Sequence, residues 1–134
     1  GICPFHGDCA EGLVSGPALA ARFGCSADKV PADAPEWRFV ISDIAALLHN
    51  LLLALMPERI ALGGGVLGGR PWLFGPVREG LAELLAGYGT MSEWAADVER
   101  RVGPPALGHM AGPLGAIALG EDALTGQISV APCV

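Results

Sequence analysis

Cys3, His6 and Cys9 stand at even spacing near the start of the sequence, C-x2-H-x2-C. Two residues between donors let a short loop wrap a single ion. Such a loop is closed by its ligands and not by an apolar core, so it dictates how the following helix begins. Thiolate and imidazole donors together suit Zn²⁺, which takes four ligands in a tetrahedron. The run holds three, leaving a water, a partner or a missing upstream residue to supply the fourth. Other readings fit the same residues. A free Cys is commonly a small buried apolar residue, and Cys3 and Cys9 also suit half of a disulfide pattern.

Glu11 follows Cys9 by two residues, so an ion at the knuckle would hold it rigidly. A carboxylate in that position can accept from two adjacent hydroxyls. It can equally be a first-turn Glu favoured by the helix dipole. Asp8, inside the knuckle, reads as solvated.

The residues Glu11 to Phe23 read as a helix with Leu13, Ala20 and Phe23 inward. Gly16-Pro17 imposes a kink or restart, because an interior Pro removes a donor and clashes with the preceding turn. Gly24 ends the helix. A polar loop follows over 26–36. From Trp37 to Leu55 lies the most apolar segment. Val40, Ile41, Ile44, Ala45, Leu47, Leu48, Leu51, Leu52 and Leu55 recur at helical spacing and predict a helix buried on more than one side. Arg38, Asp43, His49 and Asn50 interrupt it, which argues against a membrane crossing; His49 and Asn50 read as flank residues.

Pro57 stops that helix. Arg59-Ile60-Ala61-Leu62 reads as a short buried strand, with Gly63-Gly64-Gly65 at its carboxyl end. That is where ligands bind in an open α/β sheet, and missing side chains let backbone N–H groups approach closely. A plain strand-to-helix turn explains the same glycines. No G-K-[ST] follows, so this is not a Walker loop. Pro71 to Ala86 predicts a helix with Leu73, Phe74, Val77, Leu81, Leu84 and Leu85 inward, ended by Gly87. Asp97 to Val102 is a second strand candidate. Gly112 to Leu124 is the last helix, with a small face of Gly115, Ala116 and Ala118. The residues 125–134 read as a frayed tail.

Two short parallel strands with covering helices make an α/β pattern, but too small a sheet for those helices. The length of 134 residues suits one domain. At 51% hydrophobic and 16% charged the chain is built for burial, not disorder. A net charge of −6 and scattered Lys and Arg speak against a nucleic-acid-binding face. The sequence carries no basic-then-apolar leader. Its four Cys therefore read as intracellular thiols or metal ligands, a cytoplasmic expectation, with Cys25 and Cys133 serving ordinary packing or nothing.

The run Cys3-Pro4-Phe5-His6-Gly7-Asp8-Cys9-Ala10-Glu11-Gly12, continuing to Ser15-Gly16-Pro17, resembles the zinc-bearing segment of the ROK family of sugar kinases and related repressors. Its C-P-F-H form is similar to the fructokinase-like branch. Pro57-Glu58-Arg59-Ile60-Ala61-Leu62-Gly63-Gly64-Gly65-Val66 and the stretch from Ala111 to Leu119 resemble two further family segments in the same order.

The resemblance implies a partial ribonuclease-H-like lobe of the actin and hexokinase type over 1–124. It implies structural zinc at Cys3, His6 and Cys9, with the fourth ligand a His upstream. It gives Glu11 the sugar hydroxyls, and Gly63, Gly64, Gly65 and Pro17 the nucleotide of Mg-ATP. The family's catalytic Asp and main phosphate loops precede the zinc segment, so the chain is expected to be a carboxy-terminal fragment, inactive alone. Its partners would be ATP, a sugar (fructose favoured), and a second copy or the missing amino-terminal portion. The sugar-sensing lobe of a ROK-type repressor is the alternative, and a free-standing interaction module a third reading.

Overall fold

A computed structural model describes residues 1–126; the tail beyond, with Cys133, lies outside the described residues. Helix α1 (Ala10–Val14) and helix α2 (Gly16–Phe23) form the first layer. The restart expected at Gly16-Pro17 is a full break. Ser15 adopts extended backbone, its Oγ accepts from the Ala18 N–H at 3.4 Å, and Pro17 sits in the first turn where no donor is needed. Gly24, at φ 68°, caps α2 as expected. Phe23 packs against the core as expected, edge-on to the Trp37 ring at 4.9 Å, but the buried positions of α2 are Ala18 and Leu19, and Leu13 and Ala20 are only half-buried. The 26–36 loop includes a 3₁₀ turn, Ala27–Lys29.

Helix α3 (Trp37–Leu55) has the predicted bounds. It is long and apolar enough to cross a membrane, with a mean hydropathy of 1.6 over its most apolar window. It nevertheless behaves as a core helix on one face. Val40, Leu48 and Leu52 are fully buried, Ile44 and Ala45 nearly so. Leu51 and Leu55, expected inside, are 37% and 71% exposed, so burial on more than one side is not observed. By the 100° helical step both fall on the same side as Val40 and Ile44, so their exposure comes from a lack of cover toward the carboxyl end of α3 and not from their place on the stripe. Arg22 and Asp43, paired at 2.9 Å, tie α2 to α3.

Strand β1 (Ile60–Ala61) is followed by a glycine turn and the short helix α4 (Gly65–Gly68). A 3₁₀ turn (Pro71–Leu73) leads into helix α5 (Phe74–Leu85). Leu73, Phe74, Val77, Leu81 and Leu85 are buried against α3, as predicted; Leu84 is 47% exposed, a correction. Gly80 of α5 faces Ala45 of α3, where an added Cβ would meet the Ala45 Cβ at 3.4 Å, in van der Waals contact. The cap of α5 is Ala86 at φ 47°, one residue before the predicted Gly87.

Helix α6 (Met91–Ala96), which the sequence left unassigned, is followed by the one-turn helix α7 (Val98–Arg101) and strand β2 (Val102–Gly103). The second strand thus starts where the prediction ended. Residues 98–101 form a single helical turn, along which Asp97 pairs with Arg100 at 3.2 Å and Arg101 at 3.6 Å, three and four residues on. β1 and β2 pair in parallel, Ile60 with Val102 and Ala61 with Gly103, and the Leu62 N–H extends the ladder to the Gly103 carbonyl at 2.8 Å. Two indoles fasten loops to the core: Trp37 Nε1 donates to Pro31 O at 2.9 Å and Trp94 Nε1 to Pro57 O at 3.0 Å. Helix α8 (Ala111–Thr125) has no buried residue among those described.

Candidate metal knuckle and flanking grooves

The first nine residues form a tight loop. Cys3 and Gly7 exchange backbone hydrogen bonds at 3.0 and 3.3 Å, and Gly7, at φ 60°, makes the left-handed turn that Gly tolerates best. The hairpin brings Cys3 and His6 to one side: Cys3 Sγ lies 3.8 Å from His6 Nδ1. Cys9 closes the group as the N-cap residue of α1, and the three donor atoms lie within 4.8 Å of one another. Bond lengths of about 2.3 Å to sulfur and 2.0–2.1 Å to nitrogen place neighbouring donors of a tetrahedral zinc about 3.5–3.8 Å apart. The donor set and its spacing therefore fit a zinc ion. The N–H groups of Phe5 and then His6 hold the Cys3 thiol below its ordinary pKa, which favours the ligating thiolate; the Glu11 charge opposes them weakly. Asp8 is 82% exposed and pairs with the Gly1 amine, which lowers its carboxyl; it is not part of the cluster.

The knuckle rests on α1 through Gly12. A Cβ at Gly12 would lie 2.1 Å from the Gly7 carbonyl oxygen and 2.9 Å from both the Cys3 Cβ and its N. The contact is sealed by the Ile2 N–H, which donates to Gly12 O at 2.9 Å. Gly12 stands within the knuckle motif, and the motif itself assigns it no ligand or contact. The available signal was a glycine in the first turn of a predicted helix, where glycine costs about 1 kcal/mol relative to Ala unless packing demands it.

Glu11, exposed on α1, faces a groove of about 810 Å³ with Gly63, Gly64 and Gly65 on its other wall. Gly64, at φ 97° and ψ 168°, holds a conformation reserved for glycine. Arg70 and Asp28, an ion pair, also line this groove; Arg70 Nη1 donates to Val66 O at 3.3 Å and its guanidinium lies 5.4 Å from the centre of the Trp37 ring. Ser15 and Gly16 line the groove, whereas Pro17 is exposed and lines neither this groove nor the next. Cys25 is a free, exposed thiol.

The same glycine turn forms a wall of a larger cavity, about 970 Å³, between α4, α5 and the start of α8. Its surface is mainly apolar, with Phe74, Pro71 and Pro105 beside Arg78 and His109. Arg78 is held by its Nε donating to Val102 O at 2.8 Å and by contact with the Phe74 ring. Gly63 to Gly65 thus separate a groove bearing the Glu11 carboxylate from a cavity bearing the Arg78 guanidinium. Neither Arg70 nor Arg78 was singled out from the sequence, because each sits far along the chain from the residues it joins.

A sequence model described as the ROK family matches residues 1–123. A putative fructokinase of Bacillus subtilis (strain 168) is 37% identical over 127 residues, covering 95% of this chain and 42% of that protein. The fructokinase of Pediococcus pentosaceus is 37% identical over 122 residues, 91% of this chain and 41% of the relative. The fructokinase of Zymomonas mobilis is 39% identical over 121 residues, 89% of this chain and 38% of the relative. This chain spans about two-fifths of the length of those proteins. A family match over nearly its whole described length, on a chain that carries the C-P-F-H knuckle and the P-E-R-I-A-L-G-G-G-V strand and turn in order, makes it a member of the ROK family.

Proposed function

We propose that the chain is part of a fructokinase-like sugar kinase of the actin- and hexokinase-like ATPase fold, which transfers a phosphoryl group from Mg-ATP to a sugar hydroxyl in the cytoplasm. The observation that carries this reading is the shared groove of Glu11 and Gly63 to Gly65, flanked by the metal knuckle. Relatives named as fructokinases support fructose as the acceptor. They also favour the kinase over a sugar-sensing repressor lobe.

Within the groove Glu11 accepts hydrogen bonds from two neighbouring sugar hydroxyls, which orients the acceptor and discriminates against analogues lacking them. The backbone of Gly63 to Gly65, bare of side chains, lets the nucleotide lie close to the end of β1; Pro17, next to Gly16 of the groove wall, is the weaker candidate for nucleotide contact. Cys3, His6 and Cys9 hold a structural zinc; its contribution is to close the knuckle, not to polarise substrate. The described residues offer no Asp in a setting suited to the acceptor-activating base. Phosphoryl transfer needs donor, metal and acceptor held in line, so the purified chain binds and does not turn over.

Calorimetric titration of the purified chain with fructose and, separately, with Mg-ATP tests the reading. Glu11→Ala should weaken fructose binding tenfold or more, since a charged hydrogen-bond acceptor is worth about 1.5–3 kcal/mol, and leave Mg-ATP binding unchanged. Equal fructose affinity in the two proteins would remove Glu11 from the site.

A further inference from the structure

We infer that Gly12 is a positioning residue: it docks the knuckle on α1, so that metal occupancy at Cys3, His6 and Cys9 sets the placement of Glu11. The inference rests on the zinc and sugar reading above and adds the mechanical link between the two.

Three observations carry it. First, Gly12 is buried, and its backbone requires no glycine; φ there is not left-handed. What requires glycine is space, because a Cβ would strike the Gly7 carbonyl and the Cys3 backbone. Those atoms are main chain and cannot rotate away, so the hairpin itself would have to lift. Lifting it moves Cys3 and His6 relative to Cys9 and opens the donor triangle.

Second, α1 rests against α2 and α3, but no side chain caps its first turn. The helix is five residues long. A helix of that length does not persist alone. Its N-cap is Cys9, itself one of the donors, and the Leu13 N–H donates to the Cys9 carbonyl at 3.0 Å as the first helical bond.

Third, Glu11 lies between the two anchors, two residues after Cys9 and immediately before Gly12. With the ion bound, Cys9 is pinned from outside and Gly12 from beneath, and Glu11 is held on the groove wall. Without it, the N-cap loses its external tether and the carboxylate explores a wider range.

Cobalt(II) titration and hydrogen exchange on the purified chain test the link. Tetrahedral cobalt with thiolate ligands gives visible ligand-field bands and near-ultraviolet charge-transfer absorption. Gly12→Ala should weaken cobalt binding at least tenfold and lose those bands. Gly16→Ala is the control, because a Cβ there meets nothing within 4 Å; it should bind as the unaltered chain does. Metal should slow exchange of the Leu13 amide at least tenfold in the unaltered chain and the control. Cys9→Ser, which keeps Gly12, should abolish that slowing and serves as the test if Gly12→Ala does not fold. Unaltered cobalt binding by Gly12→Ala would overturn the docking role, and a Leu13 amide indifferent to metal would overturn the link to Glu11. No cobalt bands in the unaltered chain would instead overturn the metal reading beneath it.

Discussion

Cys3 Sγ and His6 Nδ1 lie 3.8 Å apart, the edge length of a tetrahedral zinc site, within a turn over residues 4–6 that the Cys3–Gly7 bridge closes. Protein purified without chelator should accordingly carry about one zinc per chain, since a set of Cys and His donors selects that ion. Elemental analysis checks the stoichiometry, and Cys9→Ser should reduce it to background. A metal-free chain with all three donors intact would defeat the assignment.

Acid should strip the metal. Ligation needs thiolates, and protons compete for them. The N–H groups of Phe5 and His6 lower the Cys3 pKa, so its thiolate survives to lower pH in the folded chain than in the unfolded one. The sign follows: a depressed pKa stabilises the fold above the unfolded value, and that contribution is lost as pH falls through the folded value. A zinc-sensitive dye followed during acid titration should report release as pH drops and rebinding on return.

Leu48 and Leu51 should respond very differently to truncation. Leu48 is fully buried against α5, so Leu48→Ala should cost about 2–5 kcal/mol. Leu51 is 37% exposed, and Leu51→Ala should stay within about 1 kcal/mol. Urea unfolding of the metal-loaded chain gives both values. Similar losses at the two positions would mean that α3 is covered on its outer face.

A coupled assay of the purified chain with fructose and Mg-ATP should read background, because binding groups without the in-line base leave phosphoryl transfer unassisted. Turnover that vanishes in Glu11→Ala would place the catalytic machinery within these residues after all.

The sequence by itself determined those features that depend on local chemistry. The donor spacing of Cys3, His6 and Cys9, the bounds of α3, the break at Gly16-Pro17, the cap at Gly24 and the glycine turn after β1 are written in single residues whose backbone or ligand preferences act over one turn of chain. Tertiary structure decided what depends on neighbours distant in sequence. The apolar period of α3 puts Leu48 and Leu51 on one wide stripe, and only what the rest of the chain lays against that stripe leaves Leu48 buried and Leu51 37% exposed. The span 97–102 has charge and β-branched residues compatible with strand or helix. Pairing of Val102 with Ile60 fixes where β2 begins, and the leftover residues coil. Gly12 is the sharpest case: its backbone is ordinary, and its need for glycine comes wholly from the Gly7 carbonyl folded back on it. Steric exclusion between segments has no local signature; the chain shows only a glycine in the first turn of a helix, and the fold supplies the reason for it.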